Sequence, residues 1–267
     1  MPKLACIALA AFLLASHANG ANEPRGWELA WSDEFDGQAL DLSKWEFEVS
    51  GSGGGNNELQ YYLTNNVRVR DGFLTIEARK EHHMGPAGTR EYTSSRIRTR
   101  RKGDWLYGRI EVRAKLPRGK GIWPAIWMMP TDNHYGGWPN SGEIDIMELL
   151  GHEPGKVHGT LHYGDLVKRS DHKGASYTLP VRTFADDFHV FELDWQPGAM
   201  RWSVDGTLYQ TQTNWHTRTN AFPAPFDQRF HLILNLAVGG NWPGPPDAMT
   251  TFPQALIVDY VRVYRKQ

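Results

Sequence analysis

Cysteine is almost missing from the 267 residues: the single Cys6 cannot close an intrachain disulfide, and the same count excludes a four-cysteine zinc site. Excess charge of either sign is missing too, with 29 Lys and Arg against 30 Asp and Glu and a net charge of -1. A protein that binds by neutralising phosphates carries a basic surplus, so neither a nucleic acid nor an anionic membrane is the expected partner. No apolar run reaches the ~20 residues that cross a bilayer as a helix, and no stretch sustains the 3.6-residue period of a long amphipathic helix. What is plentiful is glycine (27), proline (16) and tryptophan (11), in a chain that is 40% hydrophobic and 22% charged. This is the profile of a globular protein long enough to bury a sizeable core, and all-β units of roughly 200–250 residues commonly form one domain.

The longest apolar run, Leu4 to Ala15, follows Lys3 and leads into Ser16, His17 and Ala18, with small residues where a signal peptidase cuts. It resembles a secretory leader covering residues 1–18, with cleavage as late as 20, which leaves 21–267 as a single domain. A secreted or periplasmic location is expected, in a compartment that permits disulfides. Cys6 precedes most of the apolar run, which rules out a lipoprotein box; it leaves with the leader, and no membrane contact is expected afterwards.

From Trp27 onward the dominant pattern has period two. Between Tyr107 and Leu116, small and apolar Gly108, Ile110, Val112, Ala114 and Leu116 alternate with Arg109, Glu111, Arg113 and Lys115, as on a strand with one buried face. Asp71-Gly72 and Asp205-Gly206 each sit between alternating segments and predict hairpin turns. Further strands are expected at 157–163, 188–195, 231–238 and 255–264. No repeat or Pro/Ser linker divides the chain, and Gly51 to Gly55 suits a mobile loop over a site better than a domain linker. Many antiparallel strands in one unit imply two packed sheets, a sandwich or jelly roll.

The most informative stretch runs from Ser141 to Gly151, with carboxylates at Glu143, Asp145 and Glu148 among Ile, Met and Leu. Carboxylates are costly in such company unless paired or put to chemical use. On a regular strand Glu143 and Asp145 share a face while Ile144 and Ile146 point into the core, and Glu148 faces the wrong way. A β-bulge near Met147 restores Glu148 to the face of the other two. Glu143 and Glu148 are then about four strand steps apart, roughly 13 Å between Cα atoms. Side chains leaning together can close that to the ~5–5.5 Å of retaining glycosidases, whereas inverting enzymes need ~6.5–9.5 Å. In a retaining reaction Glu143 is the nucleophile and Glu148 the acid and base, with Asp145 assisting by a hydrogen bond and by like-charge repulsion. Two other readings of the acids remain: a helical i, i+3 pair capped by Ser141, or ligands for a metal ion.

Upstream, Trp123 and Trp127 lie four residues apart, on one face of a strand. Indoles stack on the apolar C–H faces of pyranose rings, and both are candidate sugar contacts. His158 and His162 share a face of the next strand, where one can hydrogen-bond an acid or a sugar hydroxyl.

The segment GEIDIME (Gly142 to Glu148), preceded by WPAIW (Trp123 to Trp127) and YGRIEVRAKL (Tyr107 to Leu116), resembles glycoside hydrolase family 16, in particular its laminarinase-like endo-β-1,3-glucanases. WSDEFDG from Trp31, NNELQYY from Asn56, GGNWPG from Gly239 and VDYVRVY from Val258 extend the resemblance over nearly the whole mature chain. The inserted Met147 favours the laminarinase branch over the lichenase-like and xyloglucan-modifying branches, which lack that residue. The resemblance implies a jelly roll of two curved antiparallel sheets with an open cleft and retaining hydrolysis, with Glu143 and Glu148 in the roles given above. It also implies Trp123 and Trp127 beside the cleaved bond, Asn57 at a more distant glucose, and His162 and Trp242 in the cleft. No cofactor for catalysis is implied, but a structural calcium is, held by Glu34, the carbonyl of Gly72 and Asp259. The expected partner is a β-1,3-glucan or a mixed-linkage β-1,3-1,4-glucan, cut by a monomer. The alternatives are hydrolysis of agar or carrageenan, or a non-catalytic glucan-binding jelly roll, which would have no need of the two glutamates.

Overall fold

The computed structural model describes residues 24–165 and 169–267; the expected leader, with Cys6, lies outside them. Period-two alternation becomes two large antiparallel sheets. One runs, edge to edge, through Arg169–Thr178, Lys156–Asp165, Glu143–Leu149, Ile122–Pro130, Phe230–Val238, Arg96–Arg98 and Glu46–Phe47, with Asp104–Trp105 also paired to Phe230–Val238. The other runs through Thr207–Gln212, Ala199–Val204, His189–Gln196, Gly108–Lys115, Gln254–Lys266, Phe73–Ala78 and Val67–Arg70, with Trp27–Asp33 also on Gln254–Lys266. Neighbouring strands are often distant in sequence, and the pattern is the jelly-roll sandwich expected. Among the described residues no helix is long and apolar enough to cross a membrane.

Local sequence explains the connections. At Asp71-Gly72 φ is 54° and 80°, and at Asp205-Gly206 it is 49° and 75°. Positive φ at both central residues matches the strand twist in a two-residue hairpin, and Asp-Gly tolerates it at little cost. Ile110, Val112 and Ala114 turn inward from Gly108–Lys115 and meet Ile144, Ile146, Met147 and Leu149 from the acidic strand in one buried cluster. Among the strands the periodicity did not mark, the longest is Arg169–Thr178, RSDHKGASYT, an edge strand on Lys156–Asp165 whose mostly polar sequence has no alternating apolar face.

The acidic strand Glu143–Leu149 is irregular where the spacing requires it. Against Lys156–Asp165 the register passes from Asp145 opposite Thr160 directly to Glu148 opposite His158, and a shift falls at the same place against Ile122–Pro130. Ile146 and Met147 are both buried in the core, so the extra residue is accommodated by two consecutive side chains on the inner face. A bulge removes backbone groups from the ladder, and each needs another partner. The indole N–H of fully buried Trp202, on the opposite sheet, donates to the Asp145 carbonyl at 2.9 Å. Its ring passes Gly159, where a Cβ would sit 2.6 Å from Trp202 Cδ1, so glycine is required for the approach.

Trp202→Phe leaves that buried carbonyl without a donor and removes ring volume, at a cost of about 2–4 kcal/mol. The expected outcome is a melting temperature lower by about 5–15 °C in calorimetry. A shift of only one or two degrees would show that the bulge needs no such tie.

Candidate active site

On the outer face of the acidic sheet lies a cleft of about 980 Å³, and Glu143, Asp145, Glu148, Trp123, Trp127, His162 and Trp242 all line it. The bulge brings the three carboxylates to one floor. Asp145 is buried, whereas Glu143 and Glu148 are partly open to the cleft. His162, opposite Glu143 in the ladder, places Nε2 3.2 Å from Asp145 Oδ2 and 3.9 Å from Glu143 Oε1. The approach to Asp145 is not an aligned hydrogen bond, since Asp145 Oδ2 has no hydrogen-bond partner. Donor atoms of Glu143, Asp145 and His162 fall within 4.8 Å of one another, a spacing that also suits a metal ion. Three such donors fall short of the six to eight oxygens that a calcium ion takes.

The tryptophans are held by polar contacts of their own. Trp123 Nε1–H donates to Glu148 Oε1 at 3.0 Å, which ties a candidate sugar platform to a candidate acid. Trp242 meets Trp123 edge to face at 5.7 Å between centroids, and His158 meets Trp242 at 5.0 Å. Trp127 Nε1–H donates to Asn235 Oδ1 at 2.6 Å, Asn235 Nδ2 donates to the Tyr62 hydroxyl at 3.2 Å, and that hydroxyl donates to Glu58 Oε2 at 2.9 Å. The buried Arg96 guanidinium lies between the Tyr62 and Trp127 rings, 4.6 and 5.3 Å from their centroids, and pairs with Glu48 and Glu58. A cation beneath an indole stabilises its orientation through the ring quadrupole.

Several sequence expectations land differently. Asn57 does not line the cleft: its side chain donates to Asn241 Oδ1 at 2.9 Å, and Asn56 is the neighbour that reaches the cavity. Its φ of 58° turns the backbone between the two. Trp138, absent from the expected set, is 43% exposed and lines the cleft, near enough to Glu143 for its N–H to lower that carboxyl's pKa. Lying just ahead of the acidic strand, it carried no alternation to mark it. Arg96, Glu58 and Asn235 were equally hidden, because nothing in spacing distinguishes a buried polar network from ordinary surface residues. On the other sheet, Arg262 donates to both Glu34 oxygens, at 2.9 and 2.7 Å, and Arg113 pairs with Asp259. Glu34, the Gly72 carbonyl and Asp259 are oxygen donors as a hard cation requires. As folded, however, each carboxylate already has a cationic partner.

Burial of the cleft acids sets their protonation. Glu143 is pushed up to about 8, first by burial and then by the charge of Asp145, while His162 and the Trp138 N–H pull it down. Burial likewise raises Asp145, against its hydrogen bond with Glu143. Glu148 is raised well above the usual carboxylate range by burial and by the charges of both other acids, with His162 and the Trp123 N–H opposing. Three such groups cannot all ionise near neutral pH. The one that feels both of the others, Glu148, keeps its proton longest.

Raised carboxyl pKa values mean that the folded state binds protons the unfolded chain has released. The contribution to stability is therefore full below about pH 4.5 and is lost as pH rises toward about 8. Glu143→Gln removes one member of the repelling set, so its melting temperature should gain on the wild type by more at pH 8 than at pH 5. An offset equal at both pH values would refute this account of the cluster.

The profile of glycosyl hydrolases family 16 matches residues 55–254. The beta-glucanase of Rhodothermus marinus is 50% identical over 257 residues, covering 90% of this chain and 85% of the relative. The glucan endo-1,3-beta-glucosidase of Cryptopygus antarcticus is 46% identical over 230 residues, covering 82% and 83%. The solved laminarinase catalytic domain of Thermotoga maritima superposes with a TM-score of 0.83 at 44% identity, covering 90% of this chain and 99% of that one. With the profile embracing the cleft tryptophans and the bulged acidic strand, and relatives alike over most of its length, the chain belongs to glycosyl hydrolases family 16.

Proposed function

We propose that this protein is a retaining endo-β-1,3-glucanase acting on laminarin-type glucans, with mixed-linkage β-1,3-1,4-glucan as a further substrate. The observation that carries the reading is the bulged strand, which sets Glu143, Asp145 and Glu148 on the floor of a cleft walled by Trp123 and Trp127. The names of the R. marinus, C. antarcticus and T. maritima relatives support the polymer.

In the first step a Glu143 oxygen attacks the anomeric carbon while Glu148 gives its proton to the departing glycosidic oxygen, leaving a glycosyl ester on Glu143. Glu148, now a carboxylate, takes a proton from water; the water oxygen attacks the same carbon and Glu143 leaves with its electron pair. Two inversions return the β-configuration. The raised pKa of Glu148 suits a group that must hold a proton before the first step. Asp145 sits between the two, with His162 Nε2 3.2 Å from its Oδ2. The indoles of Trp123 and Trp127 offer stacking faces for the glucose units that flank the bond.

Glu143→Gln should lower hydrolysis of laminarin at least a thousandfold while glucan binding persists, and proton NMR of the wild-type reaction should show the β-anomer first. An α-anomer would overturn retention, and unchanged turnover in the variant would remove Glu143 from the role of nucleophile. Assay on agarose and carrageenan beside laminarin and lichenan distinguishes the alternative polymers.

Export by the leader, action as a monomer and a structural calcium belong to the same proposal. Calcium at Glu34, the Gly72 carbonyl and Asp259 requires Arg262 and Arg113 to release their carboxylates. Calcium restored after chelation should then raise the melting temperature without altering turnover; an unchanged melting temperature leaves the two arginines as the partners.

A further inference from the structure

The glycine-rich segment 51–55, expected to be a mobile loop, forms one wall of the cleft: Gly54, Gly55 and Asn56 face the cavity beyond Trp123. Gly53, Gly54 and Gly55 have φ of 82°, 59° and 80°. Such a run is open only to glycine, and glycine lends no stiffness of its own. Within the loop, the Asn56 and Glu58 N–H groups both donate to the Gly53 carbonyl at 3.0 Å, which sets its turn but not its position, and contacts that fix the position exist on both sides of it.

Toward the cleft, the Asn241 N–H donates to the Asn56 carbonyl at 2.8 Å, and Asn57 Nδ2 donates to Asn241 Oδ1. This joins the loop to the segment that carries Trp242. On the far side stands the hairpin of His83–Gly85 and Gly88–Arg90, none of which lines the cavity. Arg90 directs both Nε and Nη2 at one acceptor, the Gly51 carbonyl, at 3.0 and 2.6 Å. The Tyr61 ring fills the space between hairpin and loop: a Cβ on Gly51 would come 2.5 Å from it, a Cβ on Gly85 2.7 Å, and His83 packs edge-on at 4.7 Å.

We infer that Arg90 is a positioning residue for substrate binding, which clamps Gly51 and so holds the Gly54-Gly55-Asn56 wall against a sugar beyond those at the cleaved bond. The inference rests on the glucanase reading above and deepens it. A guanidinium with two donors on one carbonyl fixes direction as well as distance, and a lysine ammonium cannot reproduce the fork. Without the clamp, the glycine run samples many conformations and the binding-competent wall is present for only a fraction of the time. Apparent affinity falls by that fraction, while the carboxylates on the sheet floor are undisturbed.

The test compares wild type, Arg90→Ala and Arg90→Lys on laminarin and on the shortest β-1,3-glucoside the wild type cleaves, with dissociation constants for laminarihexaose measured calorimetrically with Glu143→Gln added to each so that the ligand is not hydrolysed. A wall in place about a tenth of the time raises KM for laminarin about tenfold in Arg90→Ala, with kcat within twofold, the short substrate unaffected, and Arg90→Lys between the two. Equal KM values for the polymer in wild type and Arg90→Ala overturn the inference. So does a loss of kcat that is the same on both substrates and follows a lowered melting temperature, which marks a purely structural residue. If Arg90→Ala does not fold, Arg90→Lys carries the same comparison with a smaller expected shift. A wild type that cleaves no β-1,3-glucan sinks the catalytic reading alone; the hexasaccharide constants then decide the role of Arg90, weaker binding supporting it and unchanged binding overturning it.

Discussion

One inserted residue in the acidic strand governs the chemistry of the molecule. It forces a bulge: on a regular strand Glu148 faces the core and Met147 the cleft, an arrangement that buries a carboxylate among Ile and Leu and leaves Glu143 with Asp145 alone. With it, Ile146 and Met147 both enter the core and three carboxylates share one floor. The bulge is held from beneath, where the Trp202 indole from the opposite sheet takes the Asp145 carbonyl and Gly159 makes room for its ring. Sheet packing and active-site geometry are thus the same interaction seen from two sides. The core cannot be repacked around Trp202 without moving the acids.

The same placement sets the electrostatics. Carboxylates half-withdrawn from water, and close to one another, hold protons to higher pH than exposed ones do. The proton retained on Glu148 is a liability for folding and an asset for protonating a leaving oxygen. Among the described residues each acid has aromatic or imidazole neighbours and no arginine: Trp138 and His162 for Glu143, His162 for Asp145, Trp123 for Glu148. An arginine in any of these places would pull the pKa down and remove the acid. Arg96 and Arg98 in the cleft are spent elsewhere, on Glu46, Glu48 and Glu58.

Much of the fold was legible because its elements follow short-range rules. Alternation marked Gly108–Lys115, Asp-Gly pairs marked two hairpins, and the apolar spacing around Met147 demanded a bulge. What could not be read depends on residues far apart in the chain. Arg169–Thr178 is a strand only because Lys156–Asp165 offers it an edge. Arg96 and Asn235 come under Trp127 from separate strands, 31 and 108 positions away, and no local pattern records that they meet there. Asn57 and Asn56 show the limit at its finest: the motif identifies the segment, but a backbone turn decides which of the two residues lines the cleft.

The near-neutral charge of the chain acquires a local meaning in the cleft. Arg96 and Arg98 are paired with Glu46, Glu48 and Glu58, while Arg100 donates to the Thr131 carbonyl. Beyond them the floor carries Glu143, Asp145 and Glu148, so the surface offered to a polymer is indole and carboxyl with no surplus of positive charge. A sulfate ester entering it would give up hydration and meet carboxylates in return, a cost that uncharged glucose units do not bear. With Arg96 and Arg98 already paired to carboxylates, the cleft suits a neutral glucan better than a sulfated one on grounds other than the relatives' names.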